Sequence, residues 1–212
     1  MSIVGRKFPD LNVNAINEMG DTFEINILNK AVEEKKKILL FWYPKDFTFV
    51  CPTELHAFQD ALSKFEDRNT IILGASCDTA EVHFAWLNTP KDNGGIQGIS
   101  YDLIADTNRN LASVLKILDG ETTEFNHNID SYLLKGDNVS YRASYLIDEE
   151  GIVFYEGINH MPLGRNVDEI IRIIDAYTHV QEKGEVCPAN WDNGKEAMVA
   201  DREGVKNYLS KN

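Results

Sequence analysis

Residues 41–54 read Phe41-Trp42-Tyr43-Pro44-Lys45-Asp46-Phe47-Thr48-Phe49-Val50-Cys51-Pro52-Thr53-Glu54, and this stretch decides the predicted fold. The apolar run at 38–43 predicts a buried strand. Apolar residues then recur at helical spacing over 52–66, with a proline in the first turn, where helices accept it best. We therefore expect a strand, a loop and a helix, with Cys51 immediately before the helix.

The predicted position of Cys51 favours a reactive thiol. The first N–H groups of a helix have no partners within the helix, and the positive end of the helix dipole faces the residue that precedes it. Both effects favour the thiolate, which is the nucleophilic form of cysteine. Thr48 lies three residues upstream and can offer its hydroxyl to the sulfur or to a bound oxygen. The alternative is that Cys51 is a buried, inert cysteine.

Strand and helix patterns alternate along the rest of the chain. We predict further strands at 70–76, 101–105, 141–148 and 151–158. We predict further helices at 79–87, at 108–118 and from 167 onward, the last with Asn166 and Glu169 as a capping pair. The charged run at 33–37 predicts a solvated helix end. This alternation predicts an α/β layered domain, followed after Gly184 by a polar arm.

The composition excludes several classes of function. The 212 residues are 43% hydrophobic, which is enough for a sizeable core and excludes wholesale disorder. Lys and Arg number 21 against 34 Asp and Glu, and the net charge of −13 argues against binding to nucleic acid or to anionic membranes. No apolar run is long enough to cross a bilayer and the N-terminus carries no secretory signal, so we expect a cytoplasmic protein.

The cysteine pattern does not indicate a metal site or a disulfide framework. The three cysteines, Cys51, Cys77 and Cys187, form no C-x-x-C motif, and the five histidines are scattered singly. An odd number of cysteines in a chain without a secretory signal indicates reactive or buried thiols. Cys77 follows the predicted strand at 70–76, and we expect it to be a buried packing residue. The sequence also contains no phosphate-binding loop, dinucleotide fingerprint or serine-nucleophile motif.

Two motifs together resemble those of one enzyme family. Pro44-x-x-x-Thr48-x-x-Cys51, followed by Pro52-Thr53-Glu54, resembles the active-site motif of peroxiredoxins. Gly184-Glu185-Val186-Cys187-Pro188-Ala189-x-Trp191 resembles the resolving-cysteine segment of the typical two-cysteine branch, which contains the alkyl hydroperoxide reductases and thioredoxin peroxidases. The resemblance extends from about Phe8 to Tyr208.

The resemblance implies a fold and a domain organisation. The expected fold is thioredoxin-like α/β with an N-terminal extension and a C-terminal arm. The peroxidase domain would cover 1–183, with a surface insertion at 119–140, and the arm carrying Cys187 would cover 184–212. The insertion is polar, apart from a few apolar residues that include the cluster Tyr132-Leu133-Leu134.

The resemblance also implies a thiol-dependent peroxidase that acts on hydrogen peroxide and organic hydroperoxides. Cys51 would attack the peroxide and become a sulfenic acid, and Cys187 would condense with it to a disulfide. Pro44 would shield the thiolate, Thr48 would hydrogen-bond the peroxide, and Arg142 would hold the thiolate and polarise the O–O bond. Glu54 and Arg165 would position Arg142. No metal, haem or flavin is implied within the chain.

The implied partners are a second copy of the chain and a dithiol reductant. The disulfide would join two subunits of a homodimer, with a decameric ring as a higher assembly, and thioredoxin or an AhpF-type reductase would restore the thiols. An oligomeric holdase-type chaperone and a peroxide-sensing redox relay are the alternative functions. A dithiol oxidoreductase of thioredoxin type is disfavoured, since that mechanism needs two cysteines within one motif.

Two departures from the family pattern concern inactivation by excess peroxide. Gly94-Gly95-Ile96-Gln97 stands where sensitive members have Gly-Gly-Leu-Gly, and Tyr208-Leu209 stands where they have Tyr-Phe. In those members the two elements pack together and slow the local unfolding that disulfide formation requires. We therefore expect intermediate sensitivity.

Overall fold

A computed structural model of the chain describes residues 2–211. The chain divides into two compact units, Met1–Arg165 and Asn166–Asn212. The predicted boundary between a domain at 1–183 and an arm at 184–212 stays a prediction. No helix within residues 2–211 is long and apolar enough to span a bilayer.

The first unit is built on a mixed sheet. Its strands are β1 (Asn12–Ile16), β2 (Thr22–Asn26), β3 (Lys37–Trp42), β4 (Thr70–Ser76), β5 (Leu103–Ala105), β6 (Leu118–Thr122), β7 (Leu134–Ser140), β8 (Arg142–Ile147) and β9 (Val153–Asn159). Seven of them form one sheet in the order β2-β1-β5-β4-β3-β8-β9, and β6 and β7 form a separate two-stranded sheet. Its helices are α1 (Ile27–Glu34), α2 (Cys51–Asp60), α3 (Leu62–Glu66), α4 (Ala80–Leu87) and α5 (Asn110–Leu115).

The central strands explain where the functional loop lies. β3, β4 and β5 run parallel, and β8 pairs antiparallel with β3, with Phe41 opposite Ser144. Every residue of β3 is buried, which accounts for its continuous apolar run. The loop that begins at Pro44 therefore leaves the sheet at the carboxyl end of a fully buried strand, where the start of β8 also lies.

The predicted elements agree with the structure where the apolar pattern is strong. The α/β class is confirmed, the strand at 70–76 matches β4, and Thr79 caps α4. The predicted helix at 52–66 is interrupted at Ala61, and Cys51 is its first residue instead of preceding it. The predicted helix at 108–118 is shorter, because Arg109 and Lys116 both adopt left-handed conformations at its ends.

Three features of the first unit depart from the sequence-based expectations. The strands β1 and β2 were not predicted, and of α1 only the solvated end was predicted, from the charged run at 33–37. Lys37, expected on a solvated helix end, is buried in β3 and pairs with Glu149 at 2.8 Å. The insertion predicted at 119–140 stays a prediction; the segment is largely exposed or partly buried, ends at the buried Ser140 and contains most of the β6–β7 hairpin. Exposed apolar side chains lie near its tip, including those of Ile129, Tyr132, Leu133 and Leu134.

The second unit contains two helices, α6 (Val167–Lys183) and α7 (Arg202–Lys211). Asn166 caps α6 as predicted, because its side chain accepts hydrogen bonds from the N–H groups of Asp168 and Glu169. The Glu169 carboxylate, which was predicted to complete the capping pair, accepts hydrogen bonds from Arg172. The helix ends at Gly184, whose φ of 67° favours glycine. Between the helices, Val186 and Met198 form an antiparallel bridge that closes the loop containing Cys187.

Candidate active site

Cys51 lies at the start of α2 and is fully buried. Val50, which precedes the helix, has no polar side chain to cap it, and the acidic Glu54 lies in the first turn. The Thr48 Oγ1 atom lies 2.9 Å from the Cys51 Sγ atom and 2.8 Å from the carbonyl oxygen of Lys45. Because a hydroxyl carries one proton, Thr48 can donate to a thiolate, or donate to Lys45 while accepting from a thiol.

A buried guanidinium lies on the other side of the sulfur. The Arg142 Nη1 atom is 3.4 Å from the Cys51 Sγ atom and 2.6 Å from the Glu54 Oε2 atom. Its Nε group donates to the carbonyl oxygen of Met161, so the side chain is fixed at three points. Arg142 is the first residue of β8, which explains how a residue 91 positions away reaches Cys51.

Glu54 connects Arg142 to a second arginine. Its Oε1 atom accepts hydrogen bonds from the main-chain N–H and the Nε group of Arg165, at 2.9 and 2.8 Å. Its Oε2 atom accepts from the Arg165 Nη2 group at 3.0 Å, in addition to Arg142. Two guanidinium groups therefore surround one carboxylate, which leaves a net positive charge next to the Cys51 sulfur.

Arg165 is itself held by the sheet. Its Nη1 group donates to the carbonyl oxygens of Trp42 and Ala143, both at 2.9 Å, and its guanidinium lies 5.1 Å from the centre of the Phe41 ring. These contacts come from the carboxyl end of β3 and the start of β8. Both arginines are thus attached to strands of the sheet, which fixes the positions of the charged groups around Cys51.

The loop between β3 and α2 is anchored by a buried polar cluster. The Asp46 Oδ2 atom lies 2.7 Å from the Nδ1 atom of His83 on α4, and the Asp46 N–H group donates to Asp78 at 2.8 Å. Burial raises the pKa of Asp46, and the hydrogen bond with His83 opposes that rise. The phenol of Tyr43 is also enclosed, and burial raises its pKa well above the usual value. Sequence reasoning missed this cluster, since its members are far apart in the chain.

Pro44 and two phenylalanines surround the entrance to this loop. Pro44 is buried two residues after the end of β3, whereas Phe47 and Phe49 are exposed on either side of Thr48. Phe49 is 92% exposed, so the loop presents an apolar surface to the solvent beside a polar interior. The structure therefore brings together the predicted residues Pro44, Thr48 and Cys51, along with Arg142, Glu54 and Arg165.

Cys187 lies in the second unit and is partly buried. Its thiol donates to the carbonyl oxygen of Ala176 on α6 at 3.6 Å. Burial raises the pKa of Cys187, as does Glu185, whereas the Arg172 guanidinium lowers it. The Cys187 thiol is therefore less acidic than a free cysteine, in spite of a neighbouring cation.

Cys77 is buried and unsuited to reaction. Burial raises its pKa to about 12, with a further contribution from Asp106, so it remains a thiol at neutral pH. All three cysteines are free. No cluster of His, Cys, Asp and Glu side chains within residues 2–211 could hold a metal ion.

The site can supply a nucleophilic sulfur and stabilise negative charge that develops next to it. A thiolate beside a hydroxyl and a fixed guanidinium is suited to attack a weak O–O bond, because the leaving oxygen departs as an anion. On this sheet, such a site defines a thiol-dependent peroxidase. The family model described as "AhpC/TSA family" matches residues 4–156, and that described as "C-terminal domain of 1-Cys peroxiredoxin" matches residues 176–211. The chain belongs to the AhpC/TSA family and is a peroxiredoxin.

Individual relatives support this assignment over nearly the whole chain. The alkyl hydroperoxide reductase C of Helicobacter pylori is 38% identical over 213 residues, which cover 99% of this chain and 98% of the relative. The chloroplastic 2-Cys peroxiredoxin BAS1 of Hordeum vulgare is 34% identical, with 99% and 91% covered. The reduced 2-Cys peroxiredoxin of Plasmodium vivax superimposes with a TM-score of 0.87 at 39% identity, covering 99% of this chain and all of that structure. The thioredoxin-like fold is thereby confirmed.

Proposed function

We propose that Cys51 is the peroxidatic nucleophile and that it reduces hydrogen peroxide and organic hydroperoxides. The thiolate attacks the terminal peroxide oxygen, so that an S–O bond forms while the O–O bond breaks. The other oxygen leaves with the electron pair of the broken bond and takes a proton to become water or an alcohol. The observation that carries this proposal is the position of the Cys51 sulfur between Thr48 Oγ1 at 2.9 Å and Arg142 Nη1 at 3.4 Å.

Thr48 and Arg142 act on the reacting oxygens. Both groups donate hydrogen bonds in the space beside the sulfur, where negative charge passes from sulfur to oxygen during the reaction. A guanidinium presents several N–H donors in one plane, so Arg142 can donate to an oxygen while it keeps its bond to Glu54. Glu54 and Arg165 are positioning residues, because they hold the Arg142 guanidinium without reaching the sulfur.

Pro44 and the exposed phenylalanines govern access to the sulfur. Buried Pro44 shields the thiolate from bulk water, which strengthens the charge interactions inside the site. The apolar surface of Phe47 and Phe49 is compatible with the alkyl group of an organic hydroperoxide as well as with the smaller hydrogen peroxide.

We assign the resolving step to Cys187. A fully buried Cys51 cannot meet a second thiol unless the first turn of α2 unfolds, so disulfide formation requires local unfolding. Val50 provides no side-chain cap, which makes this end of the helix easier to open. An external dithiol of thioredoxin type then reduces the disulfide by exchange.

The disulfide joins two copies of the chain in a two-fold homodimer, which further assembles into a decameric ring. The strand β9 supports a paired assembly, because it is the last strand in the order of the seven-stranded sheet and carries the half-exposed side chain of Ile158. The cytoplasm is the proposed compartment, since three free cysteines and a dithiol reductant fit a reducing environment.

Steady-state peroxide consumption tests the proposal. The reduced protein, supplied with thioredoxin, thioredoxin reductase and NADPH, should consume peroxide, and Cys51→Ser should abolish consumption. Cys77→Ser is the matched control and should retain the wild-type rate, because Cys77 is buried and remains protonated. Equal rates in wild type and Cys51→Ser would refute the assignment of Cys51.

A further inference from the structure

Cys187 faces one side of α6, and a cation lies on that same side. The Cys187 thiol donates to the carbonyl oxygen of Ala176. Arg172 precedes Ala176 by four residues, and residues at this spacing lie one above the other on a helix. The Arg172 Nη1 group donates to the carbonyl oxygen of Trp191 at 3.1 Å, so the side chain extends toward the segment that carries Cys187.

Arg172 connects the segment that carries Cys187 to helix α6. Its Nε and Nη2 groups form a forked pair with the Glu169 carboxylate, at 2.6 and 2.8 Å, which leaves Nη1 free to hold Trp191. The main-chain N–H group of Trp191 donates to the carbonyl oxygen of Pro188, and the indole ring of Trp191 is buried. The guanidinium therefore holds the turn that directly follows Cys187.

The charges around Cys187 oppose one another. Arg172 lowers the pKa of the thiol, whereas burial and Glu185 raise it, and the net direction is upward. Other charged or titratable groups lie near Cys187 and Arg172. His179 contacts Glu185, Glu169 pairs with Arg172, and Asp192 lies close enough to Arg172 to affect its charge. Lys195 lies beside Asp192. Since most of these groups are acidic, removing Arg172 would leave the sulfur in a predominantly negative environment.

We propose that Arg172 is a positioning residue for the resolving step, which holds the turn after Cys187 on α6 and stabilises the Cys187 thiolate. This inference rests on the proposed function, because it concerns the second half of that reaction. The thiolate attacks the sulfur of the Cys51 sulfenic acid, so that an S–S bond forms and the S–O bond breaks. The oxygen leaves as hydroxide and takes a proton to become water. The Cys51 sulfur is reduced and the Cys187 sulfur is oxidised.

The first oxidation should not depend on Arg172, since the contacts around Cys51 come from Thr48 and Arg142. Disulfide formation should depend on it, because only the thiolate of Cys187 attacks. Slower resolution also leaves the sulfenic acid exposed to a second peroxide for longer, so Cys51 sulfinic acid should accumulate.

Single-turnover kinetics with one equivalent of hydrogen peroxide test this inference. Samples quenched with a thiol-blocking reagent and analysed by mass spectrometry separate Cys51 oxidation from disulfide formation. In Arg172→Gln we expect normal oxidation and disulfide formation slower at pH 7 by on the order of fivefold, the effect of one partly exposed ion pair. The pH profile of disulfide formation should move to higher pH. Arg172→Lys should restore the pH profile, because it restores the charge.

Arg202→Gln is the matched control, since it removes the same charge from α7, and it should behave as wild type. Cys51 oxidation is the first phase of this reaction and disulfide formation is the second. An unchanged rate of the second phase in Arg172→Gln would overturn the inference. So would a second phase slowed by the same factor at every pH, because that result indicates a purely structural role. Absence of the first phase in the wild-type protein would instead contradict the proposed function itself.

Discussion

The Ser140 hydroxyl donates a hydrogen bond to the main-chain carbonyl oxygen of Tyr43 at 3.0 Å, and both groups are buried. Ser140 is the last residue of the β6–β7 hairpin, and Tyr43 directly precedes Pro44 at the start of the active-site loop. The base of an otherwise exposed hairpin is thus joined to the loop that positions Thr48. This bond divides the insertion into a base that supports the site and a tip that does not.

We predict opposite results for changes at the two ends of this hairpin. Replacing residues 124–132 with an Asn-Gly turn should leave the rate of Cys51 oxidation unchanged, because the tip is largely exposed. Ser140→Ala should lower that rate and the free energy of unfolding, the latter by about 1–3 kcal/mol, since it leaves a buried carbonyl without its partner. Stopped-flow kinetics and urea unfolding measure both. If replacing residues 124–132 lowered the oxidation rate and the stability as much as Ser140→Ala does, the division of the insertion into a supporting base and a non-supporting tip would be wrong.

Thr48→Val should slow the reaction of Cys51 with peroxide by about 100-fold or more, the usual cost of losing one donor to a developing charge. The substitution keeps the shape of the side chain and removes the hydroxyl that lies 2.9 Å from the sulfur. Thr48→Ser keeps the hydroxyl and should lose little activity. Equal rates for the valine and serine variants, measured by stopped flow, would exclude the hydroxyl from the reaction.

Glu54→Gln should both destabilise the protein and slow oxidation of Cys51. Glu54 is buried between Arg142 and Arg165, and removing its charge leaves two buried cations without a counter-ion. Breaking such a pair costs about 3–5 kcal/mol, which denaturant unfolding would detect. Glu121→Gln, which disrupts only an exposed pair with Lys135, is the control and should change neither quantity. A fully active Glu54→Gln enzyme would show that Arg142 needs no positioning by Glu54.

His56→Leu should make the enzyme more resistant to inactivation by excess peroxide. The His56 Nε2 group on α2 lies 3.1 Å from the carbonyl oxygen of Gly95, so this bond holds the helix that must open before Cys51 can meet Cys187. Losing one hydrogen bond of about 1 kcal/mol favours the open helix about fivefold. Sulfinic acid on Cys51, measured by mass spectrometry at rising peroxide doses, should then decrease by a similar factor.

The control for this prediction is His127→Leu, which changes an exposed histidine on the hairpin and should leave inactivation unchanged. If His56→Leu accumulated more sulfinic acid than the wild type, the proposed role of the bond between His56 and the carbonyl oxygen of Gly95 would be contradicted. The surroundings of Gly95 also restrict which residue can stand at this position. A Cβ atom there would lie 2.0 Å from the carbonyl oxygen of Thr89, so only glycine fits.

The parts of the site that were predictable from sequence are those that depend on local order. Pro44, Thr48 and Cys51 lie within one strand–loop–helix segment, so spacing alone places them together. Arg142 and Arg165 were identified only through family resemblance, because their approach to Glu54 depends on the pairing of β3 with β8. No local pattern encodes that pairing.

Other features were missed for related physical reasons. Asp46 and His83 interact across 37 positions, and neither residue alone signals a buried pair. The strands β6 and β7 were not predicted because all their residues except Ser140 are exposed or only partly buried, so they lack the alternation of apolar and polar residues that marks a half-buried strand. The bond between Ser140 and Tyr43 is visible only once β3 and the hairpin are both in place.

The central claim is that Cys51 attacks the peroxide and that Cys187 of another subunit then resolves the sulfenic acid. Stopped-flow oxidation of Cys51→Ser and Cys187→Ser by one equivalent of hydrogen peroxide, followed by non-reducing electrophoresis, tests it most directly. We predict no rapid phase in Cys51→Ser, one rapid phase without a disulfide in Cys187→Ser, and a disulfide-linked dimer in the wild type. A rapid phase in Cys51→Ser, or a fully oxidised wild-type protein that migrates as a monomer, would contradict this account.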